Sequence, residues 1–216
     1  TAGASTIAEL PITSGVVTGE WRDGRFRIDR GELQNRGVRA SATGWFALTR
    51  GASAVTFDVN AGDVGPLAPW TGRKASGAVS GHGTLDGAFD APHVLATFSG
   101  PRLSDPDLGQ YDRVSGRADV VFPEWYLDRM RGDVMFNAAS MTMPGGSVAN
   151  KLTSSSHFTS RFSIDESRVT ANVRGIEVAA TLSADWKAES TAWIRSLDAR
   201  RGGQTWRFAS ANAPLV

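Results

Sequence analysis

Three histidines, a scatter of serines and one close pair of aspartates hold most of the chemical capacity of this 216-residue chain. His82, His93 and His157 are spaced by 11 and 64 residues, which fits no metal-ligand signature. His82 and His93 can meet across a hairpin, with Asp86 or Asp90 joining them as a metal or acid–base site. Histidines on a solvated hairpin are the simpler reading. A serine nucleophile needs a base, an acid and a sharp strand-to-helix elbow. The nearest approach, Ala75-Ser-Gly-Ala-Val-Ser-Gly81, sits in a strand context. Gly81-His-Gly-Thr-Leu-Asp-Gly87 lacks the βαβ surroundings of a dinucleotide loop. Asp105 and Asp107 flank Pro106 in a turn-forming stretch, and a calcium loop or a glycosidase pair needs more oxygens in register. The seven tryptophans offer stacking platforms for sugars or single-stranded nucleic acid, but serve more simply as core and edge anchors. Arg195, Arg200, Arg201 and Arg207 form a basic patch that reads as a wet strand face able to meet lipid head groups. The expectation is a non-enzymatic chain with no metal and no cofactor.

The elements that would position these residues are strands. Apolar residues recur at every second position in Val38–Leu48, Val55–Val59, Gly83–Phe89, Val94–Phe98, Val114–Phe122 and Ile176–Trp186. A period of two is that of a strand with one apolar and one wet face. Asp23-Gly24 is a hairpin signal, and further breaks stand at 35–37, 50–51, 86–87, 144–146 and 201–203. Turn signals roughly every ten residues suit a sandwich, a barrel or a repetitive β-structure. A short helical turn is expected near 63–72, and 123–132 reads as a short helix or as a strand and turn. The Ser/Thr-rich stretch Lys151–His157 reads as a loop or an exposed edge. Weak internal repetition links 23–48, 76–98 and 158–186.

Composition narrows the class. Lysines and arginines number 23 against 22 acidic residues, a net charge of +1. That balance exerts no long-range pull on nucleic acid. There is no cysteine, hence no disulfide scaffold or thiolate metal site. No apolar run is long enough for a spanning helix. Charged outward positions such as Arg25, Arg27, Asp29, Arg39, Glu177 and Asp185 argue against a membrane barrel. We read residues 1–216 as a single repetitive β-segment cut from a longer chain.

The stretch Gly81-His-Gly-Thr-Leu-Asp-Gly-Ala-Phe-Asp-Ala-Pro92 is followed by the alternating Val94–Phe98 and then Tyr111–Val120. It resembles the repeat of AsmA/TamB-like envelope proteins. The C-terminal Trp193–Val216, with its Gly turn, Trp-Arg-Phe and Ala-Pro ending, resembles another unit of that family. The resemblance is patchy but runs from Asp23 to Val216. It implies an all-β, antiparallel, elongated curved sheet folded into a U-shaped trough (a β-taco) with few or no helices. It also implies an apolar groove that carries phospholipid between inner and outer membranes in support of outer-membrane biogenesis. The parent protein would lie in the periplasm, anchored in the inner membrane. Its partners would be lipid acyl chains, neighbouring repeats of the same chain and an outer-membrane barrel protein.

The groove residues expected from this reading are Phe46, Leu48, Phe57, Leu85, Phe89, Phe98, Val120, Phe122, Val178, Leu182 and Trp186. Beside them lie Gly and Ala at inward positions (Ala40, Ala42, Gly44, Gly83, Gly87, Gly116, Ala118, Ala180, Ala184). Such small residues either leave room for an acyl chain or permit bends and close sheet approach. The rival expectation is a compact β-sandwich that binds carbohydrate or serves in adhesion, with a closed core and tryptophans on a concave face.

Overall fold

The computed structural model describes residues 5–7, 10–48, 51–68, 74–185, 191–208 and 213–215. Its strands are β1 (Ser5–Ile7), β2 (Leu10–Ile12), β3 (Ser14–Arg22), β4 (Arg25–Asn35), β5 (Val38–Ala47), β6 (Ala52–Ala61), β7 (Ser76–Gly77), β8 (Val79–Ala88), β9 (Ala91–Asp105), β10 (Gly109–Val121), β11 (Arg131–Thr142), β12 (Val148–Ser160), β13 (Ser163–Val173), β14 (Ile176–Asp185), β15 (Thr191–Arg201), β16 (Gln204–Phe208) and β17 (Ala213–Leu215). β1 and β2 form a small separate hairpin. The other 15 strands make one sheet in the order β16-β15-β14-β13-β12-β11-β10-β9-β8-β6-β5-β4-β3, with β17 beside β15 and β7 beside β9. Every pairing is antiparallel.

The sheet is a meander: apart from the two-residue β7, spatial order along the path is chain order. Tight turns dictate most of this, because a two- to five-residue connection can only return a strand beside its predecessor; only the β6–β8 and β10–β11 connections are longer. Asp23-Gly24, Arg36-Gly37 and Arg174-Gly175 each close a hairpin, and the glycines take φ values of +76°, +84° and +81°. Such left-handed geometry costs glycine little.

The fold is all-β and antiparallel, as the alternation led us to expect, and it forms one open, curved sheet, as the resemblance implied. Its edges, β3 and β16, do not meet. Helical structure among the described residues is confined to three 3-10 turns, Gly65–Leu67, Pro123–Trp125 and Leu127–Arg129, and the helical residue Ala68 that follows the first. Register shifts interrupt β3–β4, β4–β5, β12–β13, β13–β14 and β14–β15. Each extra residue bends its strand and adds twist, which is how a long sheet acquires curvature.

The stretch Lys151–His157 departs from expectation. It is neither loop nor edge but lies inside β12, between β11 and β13. Several of its hydroxyls pair with the neighbouring strand. Thr153 and Thr170 lie 2.6 Å apart, and Ser156 and Ser167 2.8 Å apart. Cross-strand hydroxyl pairs of this kind suit a sheet interior. A smaller difference concerns Asp86-Gly87, which falls within β8, so that the chain reverses at Phe89-Asp90 instead.

An open sheet leaves little to bury. The protein exposes 13219 Å², whereas a compact protein of 23.0 kDa exposes roughly 9,600 Å². The buried apolar residues among those described are mostly small: Val38, Ala47, Val55, Ala61, Val114, Val120, Ala138 and Ala149. No second layer of strands or helices lies over the sheet among the described residues.

Candidate ligand-binding face

Register assigns each side chain to a face, since directly paired residues point the same way. One row across twelve strands reads Gly19, Ile28, Gly44, Val55, Leu85, Val94, Val120, Gly132, Phe158, Ile164, Ala184, Ala192. All of it is apolar or glycine. The next row includes Val17, Ala42, Phe57, Ala96, Ala118, Val134 and Leu182. Its one polar interruption is Ser156 and Ser167, which bond to each other. The face opposite presents Ser41, Thr56, Asp58, His82, Asp86, Thr97, Arg117, Asp133 and Arg168, all exposed.

Of the groove residues expected from sequence, Phe46, Phe57, Leu85, Phe98, Val120, Val178 and Leu182 share this apolar face by register. Most are half-buried. Phe122 directly follows β10, and its N–H donates to the Pro92 carbonyl at 2.9 Å. Leu48 lies just past β5 and Phe89 in the β8–β9 turn, both exposed. Trp186 lies outside the described residues, as does Trp70. Residues that alternation alone did not single out extend the face toward the β3 edge: Val17, Trp21, Phe26, Ile28 and Leu33. The bulges at Thr18/Gly19 and Ile28/Gly31 shift the period by one residue there, which hides the pattern.

One rim of the apolar face is roofed by residues 122–130. Trp125 Nε1 donates to the Phe89 carbonyl at 2.6 Å, and Glu124 N donates to the Asp90 carbonyl at 2.6 Å. The Trp125 ring lies 5.8 Å from Phe46 and 6.1 Å from Phe89, and those two phenylalanines stand 6.3 Å apart. Phe46 and the end of β10 are four strand spacings apart, about 19 Å in a flat sheet. The strap therefore reaches back along the rim to make this contact. It does so with Glu124 and Trp125 at φ of +54° and +63°, a left-handed geometry that tertiary contacts must hold in place.

The glycines settle part of the question of room. An added Cβ at Gly116 would lie 2.2 Å from Cζ of Phe98 and 2.3 Å from the Met135 carbonyl. At Gly83 it would lie 2.7 Å from Cζ of Phe57. The space over these glycines is already filled by neighbouring rings, so they serve close packing. The alanines Ala40, Ala42, Ala118 and Ala180 are what keep the relief of the face low. Two depressions are lined mainly by residues of the polar face. One of about 660 Å³ is lined by Glu32, Gln34, Arg39, Ser41, Asp58 and Asn60, with Leu33, Ala40 and Val59 also contributing. An adjoining one of about 580 Å³ includes His82, Thr97, Ser115 and Arg117.

The histidines occupy that polar face, each against a carboxylate on a neighbouring strand. His82 Nδ1 is 2.9 Å from Asp58, and His157 Nδ1 is 3.0 Å from Asp133. His93 uses both nitrogens, Nδ1 at 2.9 Å from Asp86 and Nε2 at 2.8 Å from Asp119. These contacts raise the His93 pKa, through the hydrogen bond to Asp119 first and that to Asp86 second. The same bond holds the Asp119 carboxyl below the usual range. His82 and His93 do not face each other: His82 pairs with Thr97, and His93 with Asp86. Asp105 accepts from the N–H groups of Asp107 and Leu108 at 2.9 and 3.1 Å, a turn-capping role. Among the described residues no group of three His, Asp or Glu side chains is placed to hold a metal ion. No family model, curated protein or solved structure matches the chain.

Proposed function

We propose that this chain is a non-enzymatic lipid-handling segment, of the kind its resemblance to AsmA/TamB-like envelope proteins implies, whose apolar sheet face receives phospholipid acyl chains. The observation that carries the reading is the continuous apolar row across twelve strands, over which, among the described residues, no second layer of strands or helices is packed and only one rim is roofed. An alkyl chain lying along such a surface gains about 0.8 kcal/mol for each methylene taken from water. A long chain is thus held without any single strong polar contact. On this reading the parent protein works in the periplasm, anchored in the inner membrane, with further repeats of the same chain and an outer-membrane barrel protein as partners. The direct reaction with lipid is transfer, not turnover.

The rival carbohydrate-binding sandwich needs two facing sheets and aromatic platforms. The open single sheet supports the lipid reading over it, and the 660 Å³ polar depression has no aromatic residue in its lining.

The test is mass spectrometry of organic extracts from the purified protein, paired with Ala118→Asp at the centre of the apolar face. Phospholipid is expected in the wild type and severalfold less in the variant. The variant should keep its β-sheet circular dichroism, because a charge on an open face stays in water. No lipid in the wild type, or equal lipid in both, overturns the proposal.

A further inference from the structure

The polar face carries a feature that lipid binding does not use. His93 stands at the start of β9 with a carboxylate against each ring nitrogen, Asp86 from β8 and Asp119 from β10. A neutral imidazole has one N–H, so it donates to only one of two carboxylates. Satisfying both at once requires the imidazolium. We propose that His93 is a proton-controlled staple: charged, it ties β8, β9 and β10 together across the polar face, and on losing its proton it releases one of its two partners.

The charges around it favour this behaviour. From β8 comes Asp86, and the β8–β9 turn adds Asp90. β10 contributes Asp119 and Arg117, whose guanidinium is 3.6 Å from the other Asp119 oxygen. β11 places Asp133 directly opposite Asp119, with Arg131 opposite Val121. From β12, His157 pairs with Asp133. Like charges directly opposite one another destabilise a sheet, so Asp119 and Asp133 depend on their cationic neighbours. When His93 is neutral, Asp86 and Asp119 each lose a positive counterpart, and Arg117 is left as the nearest cation to Asp119.

The pH window follows from the directions of the shifts. His93 titrates above the ordinary histidine value of about 6.5, so its contribution is complete below that value and is lost as pH rises through the raised one. Asp119 titrates below the ordinary aspartate value of about 3.9, so its contribution fails only in stronger acid. The staple is therefore closed from mildly acidic conditions up to the raised histidine value, and open above it.

The experiment is a pH titration of the ring nitrogens by 15N NMR on the wild type, with amide exchange measured in parallel on wild type, His93→Gln and Asp119→Asn. Both ring nitrogens should be protonated at mildly acidic pH, with a midpoint above that of a free histidine. After correction for intrinsic exchange, opening of residues 79–121 should rise severalfold across that midpoint in the wild type. It should show no such step in His93→Gln, and Asp119→Asn should lower the midpoint. A single neutral tautomer at acidic pH, or a midpoint at or below the ordinary value, overturns the proposal. So does an unchanged exchange step in His93→Gln, and the ring titration decides alone if that variant fails to fold.

Discussion

At Gly116 the sheet is packed to contact. The ring of Phe98 lies over it from the paired position on β9, and Phe136 lies beside it on β11. Adding side-chain volume there must push a ring or a strand aside, because the Met135 carbonyl closes the other direction. We expect Gly116→Val to destabilise the protein by about 1–3 kcal/mol, the usual range for overpacking, read as a lower urea midpoint. Unchanged stability would mean that the room above Gly116 is empty after all. The residue scale also shows what sequence could and could not reveal. Alternation placed Phe57, Leu85, Phe98, Val120, Val178 and Leu182 on one face, because a period of two needs no tertiary information. It could not tell a glycine that opens space from one that a neighbouring ring fills. Nor could it see that Ser154 and Ser156 belong to the same face as Phe136 and Val134, since serine at every position erases the period.

Among the elements, the strap over 122–130 departs most from the meander. Pro123 and the run that follows it read as a short helix or a strand and turn, and two 3-10 turns are present. Its fold-back onto Phe89 and Phe46 was not legible, because it depends on two consecutive non-glycine residues at positive φ held by long-range contacts. Arg129 pairs with Glu124 within the strap, and Arg161 reaches Asp128 from the β12–β13 turn at 3.7 Å. These largely solvated ion pairs add little, so the aromatic contacts, the indole hydrogen bond and the backbone bonds of Phe122 and Glu124 to Pro92 and Asp90 hold it. Trp125→Ala removes two ring pairs and one hydrogen bond, a loss of about 1–3 kcal/mol. Amide exchange in 122–130 should quicken far more than in β4 or β14. Uniform quickening across the sheet, or none, would show that the strap does not depend on Trp125.

The main sheet is a curved ribbon, oily on one side and charged on the other. Its large accessible surface and small buried residues follow from having a single layer. Stability of such a sheet rests on cross-strand pairs and backbone ladders more than on a sealed core. The edges at β3 and β16 carry exposed apolar side chains, Val17 and Trp21 on one and Trp206 and Phe208 on the other. An open face of this kind is either covered by something apolar or pays continuously for its contact with water. A lipid chain is the cover that the resemblance suggests and that the low relief of Ala40, Ala42, Ala118 and Ala180 suits.

The most direct measurement of that claim is paramagnetic broadening of methyl NMR signals by a fatty acid spin-labelled along its chain. Val55, Leu85, Val94 and Val120 lie on the apolar face, and Thr56, Thr84 and Thr97 on the polar one. Strong broadening of the four aliphatic residues is expected, relieved by unlabelled phospholipid, with the threonine methyls spared. Equal broadening on both faces, or none at all, would contradict the claim.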